Sequence, residues 1–518
     1  MAERARWWAL AAVSLASLMC YLDNNVVNVA LPTIERSLHL SVSGLEWIVS
    51  SYLLVLGGLL LVGGRVADVY GRRRMFLAGL VIFTLSSLAS GLAPSGGVLI
   101  AARAVQGLGG ALIMPASLAI IAATFTNSRE RTAAIGMWGA VGALGLALGP
   151  ALGGVISQHL HWGWIFLINV PLGAVTLALS VPFIAESHGR TPAVGGAAGQ
   201  RPASASARLD VPGLVASALA LFALTYALIE GGDRGWTSPL IVAAFAVAAV
   251  AAGVFLAIEA RAANPMVPLG IFRNATFSGG IGTMMIWSFG VLGIYFFTSL
   301  YLQGNLGFSP TRAGLAFVPM ALCLAFAAVM SPRVVPLLGA NRTVALGMTI
   351  MTVGLVLFAG LGAGATFVSL LPGFILFGLG AGLLNVPLTN AVIEGVPTER
   401  AGIASALFNA SREVAGLLGV TVIGAVLRTS ESAALRSGTH PAQAFIDGYH
   451  TGLWLTIGLS IAGVVLSYVT LRPRQRPAAP ASTELAAAGL GLAEVVLGEP
   501  LGELTGGAGQ SGGAEPER

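Results

Sequence analysis

Fourteen stretches, each long enough to cross a bilayer and nearly free of charge, follow one another along this 518-residue chain. They run near 7–30, 44–64, 75–94, 98–122, 132–157, 163–184, 211–230, 238–258, 275–302, 311–331, 341–362, 365–390, 403–427 and 449–471. A hydrocarbon layer about 30 Å thick takes about 20 apolar residues at helical rise. No water reaches the backbone there, so each stretch must close its own hydrogen bonds as a helix. A barrel strand would alternate polar and apolar residues instead. Charged residues make up only 9% of the chain, against about 25% in a soluble domain. The expected fold is an all-α polytopic membrane protein with 14 transmembrane helices. Two hydrophilic breaks interrupt the series. Residues 186–210, rich in Ala, Gly, Pro and Ser, read as a flexible linker, and 472–518 read as a disordered tail.

The basic residues set direction. All 27 are arginine, and positive charge collects on the cytoplasmic side of membrane proteins. Most lie on the side of the N-terminus, while Arg36, Arg234, Arg312, Arg428 and Arg436 fall in loops on the other. Both termini are therefore expected in the cytoplasm. Arginines scattered over short loops make no nucleic-acid surface. The opening run from Trp7 is too long for a signal peptide and ends in polar residues without a cleavage site, so it reads as a retained span. Cys20 and Cys323 both fall in apolar runs and read as small packing residues, with no disulfide and no metal site expected. No phosphate-binding loop, zinc-protease pair or Gly-x-Ser-x-Gly elbow is present, so the chain is not expected to be an enzyme or to use a cofactor.

Polar residues inside the apolar runs are the candidates for function, because a charge at bilayer mid-depth costs about 2.5–3.5 kcal/mol on the mildest scale. Asp23 is one, in Leu22-Asp23-Asn24-Asn25. Arg103 is another, sharing one helical face with Gln106, Gly107 and Gly110. At about 1.5 Å per residue, Asp23 lies about 10 Å and Arg103 about 7 Å from the same end of their spans. The two are expected to face one space as a switchable pair. Span 1 nevertheless has two polar faces. Ser14, Ser17, Tyr21, Asn24, Asn25 and Asn28 share one, and Asp23 lies opposite with Ala12, Ala16 and Cys20. Either face could line a cavity. Arg412 and Glu413 lie near mid-depth in span 13, as a self-compensating pair or as part of proton handling. With Asn409 they are cavity candidates, together with Trp287, Tyr295 and Phe296 of the aromatic span 9. Glu230 and Asp233, at the outer end of span 7, read as surface charges.

Two further patterns bear on movement. Gly64, Asp68, Gly71, Arg72, Arg73 and Arg74 join spans 2 and 3, where a tight turn and charge pairs suit a cytoplasmic gate latch. Gly136, Gly139, Gly142, Gly145, Gly149 and Gly153 form a bare stripe along span 5, broken by Pro150 and followed by Gly154. Such a stripe admits either static packing or a rocking contact, with Pro150 allowing a bend.

Together these segments resemble the major facilitator superfamily and, within it, the fourteen-span drug:proton antiporters. The resemblance rests on Gly64…Asp68…Gly71-Arg72-Arg73-Arg74, Arg103-xx-Gln106-Gly107 and Gly145-xxx-Gly149-Pro150-xx-Gly153-Gly154. It also rests on Leu22-Asp23…Asn28-Val29-Ala30-Leu31-Pro32, Leu209-Asp210-Val211-Pro212-Gly213, Asn264-Pro265-Met266-Val267-Pro268-Leu269 and Tyr301-Leu302-Gln303…Gly307-Phe308-Ser309-Pro310. Asn25 stands where the group commonly has threonine, and Glu413 where glutamine is usual. The resemblance implies a six-helix bundle over 1–185, a linker over 186–210, two inserted helices over 211–258, a second six-helix bundle over 259–471 and the tail 472–518.

It further implies alternating access around a midplane site in a cytoplasmic membrane, by a protein working as a monomer. The expected activity is proton-driven efflux of lipophilic or cationic drugs, protons being the coupling ion and Asp23, Arg103 and Glu413 the coupling residues. An importer or metabolite permease of the same fold, or a non-transporting membrane sensor, are the alternatives.

Overall fold

The computed structural model describes residues 2–188, 210–262, 265–397 and 400–471. The linker reading for 189–209 and the tail reading for 472–518 lie outside the described residues. Among the described residues, fourteen helices are long and apolar enough to span a membrane. The first six are α1 (Arg4–Leu38), α2 (Val42–Tyr70), α3 (Arg72–Gly91), α4 (Gly96–Thr124), α5 (Arg129–His159) and α6 (Trp164–Phe183). Two follow as α7 (Val211–Arg234) and α8 (Pro239–Arg261). The last six are α9 (Ala275–Asn305), α10 (Pro310–Leu338), α11 (Ala340–Ala359), α12 (Phe367–Glu394), α13 (Gly402–Arg436) and α14 (Pro441–Thr470). An even number of crossings returns the chain to the face on which it began. We call that face terminal and the opposite one distal.

Side chains close many helix starts, as they must where water is scarce. Asn127 accepts from the Arg129 amide at 2.9 Å, Asp210 from the Gly213 amide at 2.9 Å and Asn274 from the Thr276 amide at 2.9 Å. Thr366 and Ser369 form a capping box at the start of α12. Asp210 thus ends the linker by starting α7. At the linker's other end, the Glu186 carboxylate accepts from the backbone amides of Arg73 and Arg74 at the start of α3, at 3.0 and 3.2 Å.

The spans coincide with the hydropathy reading in number and order, but several helices overrun it by about two turns or more: α1, α13 and α14 at the distal end and α10 at the terminal end. Arg36, Arg234, Arg312, Arg428 and Arg436 all lie on helices and not in loops. Hydropathy stops at the first polar residues, but a helix continues for as long as its hydrogen bonds are made. Arg36 even returns its Nε to the Pro32 carbonyl, at 3.0 Å. Glu230 is corrected in the same way. It accepts from Trp47 Nε1 of α2 at 3.1 Å and is half-buried, whereas Asp233 is exposed as expected.

α1–α6 pack among themselves, and so do α9–α14. The inserted pair packs together, and α7 rests on both α2 and α13. The halves meet where α2 runs along α13, α5 along α10 and α1 along α9. At the distal end these contacts are bonded. Ser299 Oγ donates to the Asn28 carbonyl at 2.9 Å, and Gln303 Nε2, on the π-helical last turn of α9, donates to the Val29 carbonyl at 2.8 Å. The Thr311 amide donates to Gln158 at 3.0 Å. On the terminal side, a Cβ added at Gly136 or Gly139 of α5 would meet nothing within 4 Å. Among the described residues, the hydrogen bonds between the halves lie at the distal end and at mid-depth.

Candidate functional site

Asp23 lies inside the first half, on the α1 face that also buries Ala12, Ala16 and Cys20. Its Oδ2 accepts from Arg103 Nη1 at 2.5 Å. Its Oδ1 accepts from Gln106 Nε2 at 2.8 Å and from Asn169 Nδ2 of α6 at 2.8 Å. Arg103 also donates from Nη1 to Gln106 Oε1 at 2.7 Å and from Nε to the Ile48 carbonyl of α2 at 3.3 Å. Its guanidinium lies over the Tyr52 ring, 4.3 Å from the centroid. Gln106 Nε2 further donates to Ser87 Oγ of α3 at 2.7 Å. One carboxylate thereby ties together α1, α3, α4 and α6, with α2 held through Arg103. A buried pair is tolerated only when its other lone pairs and protons are satisfied, and here three donors serve two oxygens. The residues the sequence singled out, Asp23, Arg103 and Gln106, come together. Asn169, Ser87 and Tyr52 are additions, and only Asn169, a lone side-chain amide in an apolar run, carried a signal that could have found it.

Gly107 and Gly110 complete the α4 face by admitting α2. A Cβ at Gly107 would stand 2.6 Å from the Tyr52 carbonyl oxygen, and one at Gly110 would stand 3.3 Å from the Tyr52 hydroxyl.

The opposite face of α1 meets α5 and the second half. Gly142 receives Ser17 and Tyr21, Gly145 receives Leu18, Gly149 receives Asn25 and Gly153 receives Val26. Most of the glycine stripe therefore packs on α1 of its own half. The contact with the second half falls to Pro150 and Gly154, whose backbones meet Gly314 and Pro310 of α10. Asn24 and Tyr21 are half-buried on this face, and Asn28 is buried near α9.

Tyr21 touches the other half. Arg412 Nη2 of α13 donates to the Tyr21 hydroxyl at 3.2 Å and to Glu413 Oε1 at 2.7 Å. Although adjacent in sequence, Arg412 and Glu413 do pair, through Arg412 Nε at 3.1 Å as well as Nη2. The Glu413 Cβ rests on α2 at Gly57, and Ser288 Oγ of α9 donates to the Arg412 carbonyl at 2.6 Å. The side chains of Arg412 and Glu413 keep 20% and 10% of their surface exposed, whereas Arg103 and Asp23 keep 1% and 0%. The first pair is the less enclosed of the two. Asn409, one turn nearer the terminal face, is half-buried and donates to the Ser405 carbonyl at 2.9 Å.

The aromatic candidates of α9 divide. Trp287 is buried, and its indole N–H has no partner among the described residues. Tyr295 and Phe296 are not on the shared face. Phe296 packs against Phe297 in the second half's core, and Tyr295 against Phe317 at 4.4 Å beside a closed apolar cavity of about 10 Å³. Their spacing follows the core-facing side of the helix.

At the terminal face, Arg72 Nη2 pairs with Asp68 at 2.7 Å, and Arg72 Nη1 donates to the Ala119 carbonyl of α4 at 3.4 Å. Arg73 Nη2 donates to the Val181 carbonyl of α6 at 2.7 Å. Gly71 makes the turn at φ 109°, a region glycine enters without strain, and Gly64 packs against Pro115. All these contacts are made within the first half. Among the described residues, no group of three or more His, Cys, Asp and Glu is placed to hold a metal.

Two six-helix halves meeting at mid-depth, with buried charges inside the spans, fit a secondary transporter of the alternating-access class. The chain belongs to the Major Facilitator Superfamily, whose family model it matches over residues 13–420. It is similar to the multidrug resistance protein Stp of Mycobacterium tuberculosis (strain CDC 1551 / Oshkosh), 36% identical over 435 residues, which are 84% of this chain and 78% of the relative. It is also similar to the puromycin resistance protein pur8 of Streptomyces alboniger, 34% identical over 485 residues, which are 91% and 93% of the two chains. The crystal structure of the POT family transporter PepTSo shares the fold, with a TM-score of 0.65 at 16% identity over 90% of this chain and 97% of that one. The protein is a multi-pass membrane transporter.

Proposed function

We propose that this protein exports lipophilic or cationic drugs from the cytoplasm in exchange for protons, working as a monomer in the cytoplasmic membrane with both termini inside. The terminal face is then the cytoplasmic one, from which substrate loads. No cofactor is invoked.

The observation that carries the reading is the position of Asp23. It is sealed from the substrate space, yet it sits two residues from Tyr21, which touches Arg412 across the halves. Ionised, Asp23 clamps α1 to α4 and α6 through Arg103, Gln106 and Asn169. A proton removes the charge, weakens the bond to Arg103 and frees α1 to shift. The same shift moves Tyr21, Asn24 and Asn28 on the opposite face. A cation bound at Glu413 and a proton at Asp23 thus compete through one helix without touching. Similarity to relatives named for multidrug and puromycin resistance supports the substrate class.

The test is drug uptake into everted membrane vesicles energised by a proton gradient, which corresponds to efflux from cells. Uptake by the parent should collapse with a protonophore, and Asp23→Asn should abolish gradient-driven uptake while leaving drug binding within a few-fold. Protonophore-insensitive uptake, or a fully active Asp23→Asn, sinks the reading.

A further inference from the structure

The distal ends hold a second buried ion pair that the Asp23 cluster does not use. Glu46, near the start of α2, and Arg428, near the end of α13, are both buried, and Arg428 Nη1 donates to Glu46 Oε1. The pair joins the two halves. The inserted helix is its third member, since Arg428 Nη2 donates to the Leu228 carbonyl of α7 at 3.0 Å. Gly424 of α13 is the notch that admits the carboxylate, because a Cβ there would collide with it. Glu46 Oε2 and Arg428 Nε have no hydrogen-bond partner among the described residues. A buried pair with unsatisfied atoms is a weak source of stability, because its attraction barely offsets desolvation. It holds the halves by a margin that loss of one charge reverses.

The surrounding charges lead from this pair to the distal water. From α7, Glu230 and Asp233 face Glu46. Asp233 is exposed and accepts from Ser43 Oγ, one turn before Glu46, while Glu230 is held by Trp47 and by Arg234 Nε at 2.8 Å. From α13, Glu431 faces Arg428. From α4, Arg103 reaches the Ile48 carbonyl but turns its charge to Asp23. Protons arriving at the distal face thus meet an exposed carboxylate first and the buried one behind it.

We propose that Glu46 and Arg428 form a second proton-binding site. Ionised, Glu46 latches the distal ends of the halves; neutralised by a proton from the outer side, it lets them part, with α7 supplying the acidic entry. The proton passes from outer water to a Glu46 carboxylate oxygen, and Arg428 keeps its charge against the Leu228 carbonyl. The proposal rests on the alternating-access exporter reading above. It gives the inserted helix pair a task in gating.

Spin labels at Arg36→Cys and Ser432→Cys, in the full chain with Cys20 and Cys323 replaced by Ala and reconstituted in nanodiscs, report the distal gap by pulsed dipolar spectroscopy. The labelled parent should gain a long-distance population as pH falls. Glu46→Gln and Arg428→Gln should each raise that population about tenfold at alkaline pH, where the parent stays closed. A labelled parent that ignores pH overturns the latch without any variant in it, and so does a Glu46→Gln that titrates like the parent. Vesicle transport of ethidium is measured alongside. Unchanged distances with transport intact sink the latch alone. A pH-responsive gap without ethidium transport sinks the exporter reading and leaves the latch standing.

Discussion

Asp23 and Arg103 show what a single residue discloses in an apolar chain. Each is too costly to leave alone in a membrane, so depth alone was enough to pair them across spans 80 residues apart. Ser87 was illegible for the converse reason. A neutral polar side chain in a helix can be satisfied by its own backbone, as Ser117 is by the Ile113 carbonyl at 2.7 Å, so its presence implies no partner. Which face Asp23 serves was equally closed to sequence, because both faces of span 1 are polar. Arg103→Ala should cost about 3–5 kcal/mol, since it strands a wholly buried carboxylate. Thermal unfolding of the detergent-solubilised protein would register this as a large drop in Tm, with most of it recovered in Asp23→Asn/Arg103→Ala. Equal Tm values for the single and double variants would show that the charge pair is not the source.

At the scale of the helix, the glycine stripe of α5 was plain in the spacing, but its partner was not. A bare face says that something approaches closely and not what. The structure gives most of it to α1, so that α1 is gripped on one side by α5 and on the other by the Asp23 cluster. Within the stripe, Pro150 and Gly154 reach across to α10. The stripe also has two regimes. A Cβ at Gly145 would stand 2.6 Å from the Leu18 carbonyl oxygen, while one at Gly136 has open space. Gly145→Ala should therefore lose about 1–3 kcal/mol through overpacking and most of its transport. Gly136→Ala should keep both, with a gain of about 0.5–1 kcal/mol from helix propensity. Chemical denaturation and vesicle transport of the two variants side by side would check this. Hydropathy located all fourteen helices but trimmed α1 and α13, and with those ends it lost Arg428 as a buried residue.

Across the whole molecule, most bonds between the two halves among the described residues lie at the distal face. The two halves were legible only through resemblance, since the internal repeat, such as Gly339-Ala340-Asn341-Arg342 against Gly71-Arg72, is too faint to define them. Their relative disposition was not legible at all, because either closed end satisfies the same hydrophobic pattern. In the proposed cycle, substrate enters from the terminal face, meets Tyr21, Arg412 and Glu413, and is coupled through α1 to a proton it never touches. The most direct test of that coupling is the proton released or taken up when drug binds to the purified protein, followed with a pH-sensitive dye in weakly buffered solution. Ethidium binding should displace protons from the parent, and Asp23→Asn should bind ethidium with that release lost. Proton release by Asp23→Asn equal to the parent's would contradict the coupling.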